Sequence, residues 1–133
     1  MLRVLIADDH AIVRKGLKEI LGEEVGSVVV GEASSGPEAL NKARAEQWDV
    51  VVLDITMPGQ SGLDVLEKLK QEQPGLPVLM LSMHSSSQYV TRSLKAGASG
   101  YLSKESAPSE PVNAIRAILK GGTYTGRSLS EAL

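Results

Sequence analysis

Apolar residues along this chain follow two periods in turn. Short, largely β-branched or aliphatic runs read as buried strands: Leu2-Arg3-Val4-Leu5-Ile6-Ala7, Val28-Val29-Val30, Val50-Val51-Val52-Leu53, Pro77 to Ser82, and Gly100 to Lys104. Between them the apolar positions recur at helical spacing. Ile12, Val13, Leu17, Ile20 and Leu21 share one face of a first helix, which Gly22 is expected to stop. Ser34-Ser35-Gly36-Pro37 signals entry to a second helix, with Pro37 suited to the first turn, Glu38 to the positive helix end, and Ala39, Leu40 and Ala43 facing inward. Leu63, Leu66 and Leu69 mark a third helix, broken by Gln73-Pro74-Gly75. A fourth runs from Ser85 to Lys95, thinly anchored by Val90 and Leu94. The last presents Val112, Ile115, Ile118 and Leu119, and Gly121-Gly122 caps its end.

Five alternations of strand and helix predict an α/β fold, a doubly wound five-stranded parallel sheet with helices on both faces and right-handed crossovers. No internal repeat or low-complexity segment interrupts the pattern. In such a sheet the ligand crevice lies beyond the carboxyl ends of the strands.

Bulk properties narrow the function classes. A chain of 133 residues makes one domain with a sizeable core. Hydrophobic content of 42% and charged content of 23% are those of an ordinary soluble protein. No apolar run approaches the roughly 20 residues that span a bilayer. Met1 leads into a strand rather than a signal peptide, so no membrane association and a cytoplasmic location are expected. The absence of cysteine excludes a disulfide framework and a thiolate metal site. A net charge of −2 offers no reason for this domain to grip nucleic acid by itself. Phe is absent and aromatics are 3%, so the core must be aliphatic.

The strand ends carry the chemistry. Asp8 and Asp9 follow the first strand, Asp54 the third, Ser82 the fourth and Lys104 the fifth. Each alone has an ordinary explanation: Asp54 as a turn or helix cap, Asp8-Asp9 as a cap of the first helix, Ser82 as a strand-end hydroxyl, Lys104 as a solvated charge. A parallel sheet brings all of them to one edge. Three carboxylates there repel one another and favour a hard divalent cation, and Mg²⁺ suits the oxygen ligands. Ser82 adds a hydroxyl and Lys104 a compact positive charge, so the edge can accept a phosphoryl group on a carboxylate. Tyr101 reads first as a partly buried aromatic, and Met80 and Met83 as core or rim packing. His10 and His84 have no clustered partners in sequence, so ligation by imidazole is not expected.

Four fragments in order, Ile6-Ala7-Asp8-Asp9-His10, Leu53-Asp54-Ile55-Thr56-Met57-Pro58 through Gly62, Leu81-Ser82-Met83-His84, and Gly97-Ala98-Ser99-Gly100-Tyr101-Leu102-Ser103-Lys104, resemble a response-regulator receiver domain of two-component signalling. The resemblance covers nearly the whole chain, and 28 positions from Asp54 to Ser82 and 22 from Ser82 to Lys104 agree with it. Val30-Gly31-Glu32-Ala33, Gly100-Tyr101-Leu102 and Gly121-Gly122 are similar to the NarL/FixJ branch, in which a LuxR-type helix-turn-helix domain normally follows. The resemblance implies a flavodoxin-like (βα)5 fold and a role for each strand end. Asp54 would be the phosphoacceptor for a histidine kinase. Asp9 would bind Mg²⁺ directly, Asp8 mostly through water, and Thr56 through its backbone carbonyl. Ser82 and Lys104 would hold the phosphoryl oxygens, and Tyr101 would be the switch aromatic, turning inward as Ser82 moves. Homodimerisation on phosphorylation would follow. Two departures stand out: Glu105 follows the lysine where the wider family has proline, against a cis peptide there. Pro111 is tolerable only in a first turn, so the last helix should begin near Ser109.

The expected organisation is a receiver over residues 1–122 and the start of a linker over 123–133. The chain stops some tens of residues short of a helix-turn-helix domain, so DNA contact is expected of a C-terminal domain beyond Leu133. The expected output is transcriptional, with no catalytic turnover beyond slow self-phosphorylation and dephosphorylation. Three rivals are weaker. An aspartate-nucleophile phosphatase needs a second acid two residues on, where Thr56 stands. A flavin or nucleotide module needs a glycine-rich loop after the first strand, where Asp8-Asp9-His10 stands. A stand-alone adaptor acting through protein contacts is the reading if the natural chain ends at Leu133.

Overall fold

The computed structural model describes residues 1–82, 87–104 and 109–125. Met83, His84, Ser85, Glu105, Pro108 and the tail from residue 126 lie outside these, together with what was expected of them. The elements alternate throughout: β1 Leu2–Ala7, α1 Ala11–Glu24, β2 Val28–Ala33, α2 Gly36–Ala45, β3 Val50–Asp54, α3 Gly62–Glu72, β4 Val78–Ser82, α4 Ser87–Lys95, β5 Gly100–Ser103, α5 Glu110–Leu119 and β6 Tyr124–Thr125. The strands pair in parallel in the order β2-β1-β3-β4-β5-β6. The order reverses between β1 and β3, so the crevice at the switch point opens between Asp8 and Asp54.

Side-chain alternation along the strands sorts the core into two layers. Leu5, Ala7, Val51, Leu53, Val78, Met80 and Tyr101 pack on one face with α2, α3 and α4. Val4, Ile6, Val50, Val52, Leu79, Leu81 and Leu102 pack on the other with Leu17 and Leu21 of α1 and with Val112, Ile115 and Ile118 of α5. Every residue of β3 and β4 is buried, as a strand covered on both faces must be. Each such Val or Leu contributes about 1.5–3 kcal/mol of burial.

The helix signals hold at α2, α3 and α5. Ser35 accepts from the Glu38 N–H at the head of α2, and Ala39, Leu40 and Ala43 are buried. α3 ends at Glu72 with Gln73 as its cap, and α5 begins after Ser109 with Pro111 in its first turn. The N–H groups of Gly121 and Gly122 then bond Ile118 O and Ala117 O.

The expected doubly wound sheet of five parallel strands is present, with one short strand added at its edge, and two expectations about the helices need correction. α1 runs through Gly22 to Glu24, because that exposed glycine keeps helical geometry; the chain turns instead at Gly26, with φ +83°. Ile12 is 81% exposed rather than core-facing, since α1 meets the core through the partly buried Val13 and the buried Leu17 and Leu21, and Leu119 is 43% exposed at the far end of α5. The sheet also gains β6, whose Tyr124 and Thr125 lie beside Gly100 and Tyr101 of β5. A two-residue strand carries no period, and ordered backbone thus continues past residue 122.

Candidate functional site

β3 delivers Asp54 to the sheet edge with only 3% of its surface exposed. The turn after it is held tightly: Thr56 N–H donates to Asp54 Oδ1 at 3.3 Å, and Gly62 N–H donates to Ile55 O at 2.6 Å. The head of α3 presses so closely on this turn that a Cβ on Gly62 would stand 1.9 Å from the Asp54 carbonyl oxygen.

β1 delivers the acid pair. Asp8 is 1% exposed and its N–H donates to Ala33 O at 3.0 Å, extending the β1–β2 ladder by one bond. Its Oδ1 accepts the His10 N–H at 2.8 Å, an Asx turn that sets the chain up for α1. His10 is the cap residue of α1 and makes no side-chain cap bond, so Asp8 orders the approach to the helix without being its N-cap. Asp9 is exposed to solvent beside it.

Lys104 leaves β5 with its N–H on Ser82 O at 2.8 Å and carries its ammonium back into the crevice. Nζ lies 3.1 Å from Asp54 Oδ2, a hydrogen-bonded pair, and 2.8 Å from Asp8 Oδ2. The Asp8 contact is an ion pair whose alignment falls short of a hydrogen bond, which leaves that buried oxygen without a hydrogen-bond donor among the described residues. One cation is thus shared between two buried carboxylates. Burial pulls the Lys104 pKa down, but Asp8 and Asp54 outweigh it and raise it. Burial and then the Asp8 charge push the Asp54 pKa up, and half a share of Lys104 does not cancel them.

This charge excess is the property a divalent cation relieves. Carboxylate oxygens of Asp8, Asp9 and Asp54 and a ring nitrogen of His10 all lie within 4.8 Å of one another. The donor set fits a hard cation, with oxygen ligands in the majority. His10 corrects the sequence reading: it does have clustered partners, with Nδ1 at 3.1 Å from Asp8 Oδ1 and 3.2 Å from Asp9 Oδ1. Its place two residues after Asp8 was the available signal.

Ser82 and Tyr101 form the other half of the edge. Ser82 is 1% exposed at the end of β4, where Asp54 of β3 faces the neighbouring Leu81. Tyr101 is wholly buried, its pKa raised by that burial although a hydrogen bond from the Ser82 side chain opposes it. Asp8, Asp9, Asp54 and Lys104 are therefore brought together as expected, and Ser82 joins Tyr101. Thr56 is adjacent, through its N–H.

Residues 4–116 match the family described as the response regulator receiver domain. The chain belongs to that family. The receiver is 39% identical over 133 residues to the response regulator UvrY of Escherichia coli O6:H1 (strain CFT073), covering 100% of this chain and 61% of that protein. It is 40% identical over the same span to the response regulator GacA of Pseudomonas viridiflava, covering 62% of it. The receiver spans about three fifths of the length of these relatives. Among solved structures, a LuxR-family two-component response regulator from Aurantimonas sp. SI85-9A1 superposes with a TM-score of 0.93 at 35% identity, over 98% of the receiver and 93% of that chain. Among the described residues, no helix of the receiver is long and apolar enough to cross a membrane.

Proposed function

We propose that this receiver takes a phosphoryl group onto Asp54 from the phosphohistidine of a histidine kinase, and that phosphorylation switches a transcriptional output. The observation that carries the reading is the shared cation: Lys104 sits within 3.1 Å of both Asp54 and Asp8 in a crevice with Asp9 alongside. In the transfer, an Asp54 oxygen forms the new bond to phosphorus as the phosphorus–nitrogen bond of the donor breaks, and the histidine keeps the electron pair. Asp9, Asp8, Asp54 and the Thr56 carbonyl would hold Mg²⁺, which supplies charge neutralisation to the incoming phosphoryl oxygens. Lys104 turns from its two carboxylates toward one of those oxygens, and Ser82 donates its hydroxyl to another. Ser82 carries Tyr101 with it, so the site is read out on α4 and β5. The group stays on the protein as a signal, so the chain works by slow self-catalysed phosphorylation and dephosphorylation and not as a turnover enzyme.

The receiver unit is residues 1–122 with β6 as a short addition to its sheet, and the rest of 123–133 leads toward an output domain of the helix-turn-helix type that contacts DNA in the cytoplasm, with homodimerisation on phosphorylation. The greater length of the UvrY and GacA relatives supports this organisation. A stand-alone adaptor is the alternative output for the same site.

Incubation with a small phosphodonor and Mg²⁺, followed by intact mass, tests the site. One phosphoryl adduct is expected, absent in Asp54→Asn and abolished by chelation. Labelling that persists in Asp54→Asn overturns the assignment.

A further inference from the structure

We propose that Arg14 and Glu32 form a strut that sets the metal affinity of the Asp8–Asp9 pair, with Arg14 a positioning residue that binds the peptide between the two acids. The inference rests on the metal-site reading above. Arg14, on the second turn of α1, has a side chain only 16% exposed. One arm of its guanidinium, Nη1, donates to the Asp8 carbonyl oxygen at 2.5 Å, and Nε donates to Glu32 Oε1 at 3.1 Å. Glu32 is itself held: it lies on β2 in register with Ile6 of β1, and its carbonyl accepts from Lys42 Nζ on α2.

The peptide joining Asp8 to Asp9 is planar, so fixing its oxygen fixes the direction in which the chain leaves toward Asp9. The N–H on the other side of Asp8 is already tied to Ala33 O at 3.0 Å. Both peptides of Asp8 are therefore anchored to β2, one directly and one through Arg14. Asp9 is exposed, and among the described residues its carboxylate meets the exposed His10 ring alone, Nδ1 at 3.2 Å, so its placement follows chiefly from this peptide. The planar fork of arginine reaches a carbonyl and a carboxylate at once, which the single ammonium of lysine does not reproduce.

Electrostatics and positioning predict opposite signs. A guanidinium near the crevice repels a divalent cation, so its removal would tighten Mg²⁺ binding if charge alone mattered. Loss of a positioning contact weakens metal binding by about 10–100-fold instead.

Isothermal titration of the 133-residue chain with MgCl₂ decides between them, with thermal unfolding run in parallel. Arg14→Ala and Arg14→Lys are expected to weaken Mg²⁺ binding at least about tenfold. Labelling by a phosphodonor should regain the wild-type rate at saturating Mg²⁺, because only the metal requirement has moved. Glu32→Gln, which keeps the acceptor oxygen, should hold wild-type affinity, whereas Glu32→Ala should weaken it; this pair carries the test if Arg14→Ala does not fold. Unchanged or tighter binding in folded Arg14→Ala, or equal affinities for the two Glu32 variants, overturns the strut alone. Failure of the wild-type chain to bind Mg²⁺ overturns the metal-site reading beneath it.

Discussion

Gly62 and Asp54 touch backbone to backbone: a Cβ added at Gly62 would lie 1.9 Å from the Asp54 carbonyl oxygen and 2.7 Å from Ile55 Cα. No side chain fits there, and the bond from Gly62 N–H to Ile55 O at 2.6 Å depends on the approach. The clash is with main chain, which cannot rotate away. Gly62→Ala should therefore destabilise the domain by about 3 kcal/mol or more, at the severe end for overpacking. The shift should also displace Asp54 and reduce labelling. Denaturant unfolding checks the first effect and phosphodonor labelling at matched folded fraction the second. Wild-type stability in Gly62→Ala would show that α3 does not seat on the turn.

Sharing of Lys104 by Asp8 and Asp54 gives a second prediction. Lys104→Met leaves two buried carboxylates facing each other with no cation, a loss of about 3–5 kcal/mol for a broken buried pair. Added Mg²⁺ should recover part of this, since the metal neutralises the same charges. The rise in Tm on adding saturating Mg²⁺ is expected to be larger in Lys104→Met than in the wild type. An equal or smaller rise would mean that Lys104 does not compensate the metal-binding carboxylates.

The raised pKa of Asp54 fixes the sign of a pH effect. An acid whose pKa is higher in the folded protein binds its proton more tightly there than in the unfolded chain. The folded state is then favoured at low pH, and stability falls as pH rises from the ordinary carboxylate pKa through the raised one. Asp54→Asn removes the charge, and with it first the cost of burying that charge and then its repulsion with Asp8. In EDTA at neutral pH the variant should be more stable by about 1 kcal/mol, roughly 3–5 °C in Tm. The gain should shrink toward zero below the ordinary carboxylate range. A gain independent of pH would point to packing, and a loss would mean that Lys104 over-compensates Asp54.

Much of this was legible because the deciding signals are local. Val50 to Leu53 must be buried on both faces, and the residue ending such a strand must reach the crevice, so the strand pattern alone carries Asp54, Asp8, Asp9 and Lys104 to one edge. The misses are tertiary. Helical period assigned Ile12 to the buried face, but whether a first turn overlaps the sheet depends on where the strand beneath it ends. Tyr124 and Thr125 have no alternation to announce β6; they pair because β5 offers an open edge. Arg14 and Glu32 are 18 residues apart on different elements, and only the register of β1 with β2 brings them to the Asp8 carbonyl.

Ser93 marks the seat of α4 as a strained one. Its hydroxyl is fully buried and finds no hydrogen-bond partner among the described residues. Val90 is the fully buried apolar residue of α4, supported by the partly buried Tyr89 and Leu94, whereas α5 buries Val112, Ala114, Ile115 and Ile118. A buried hydroxyl without a partner costs about 1–3 kcal/mol, a large fraction of what so small an apolar face contributes. Ser93→Ala deletes the unsatisfied group and leaves a void of one oxygen atom. It is expected to raise stability by about 1 kcal/mol and to slow amide hydrogen exchange in α4 more than in α1, α3 or α5. If α4 is the element that Ser82 and Tyr101 move, the same variant should also respond less to phosphorylation, read as a smaller change in α4 exchange on adding phosphodonor and Mg²⁺. Faster exchange in α4 of Ser93→Ala would mean that the hydroxyl is bonded in solution and holds the helix down.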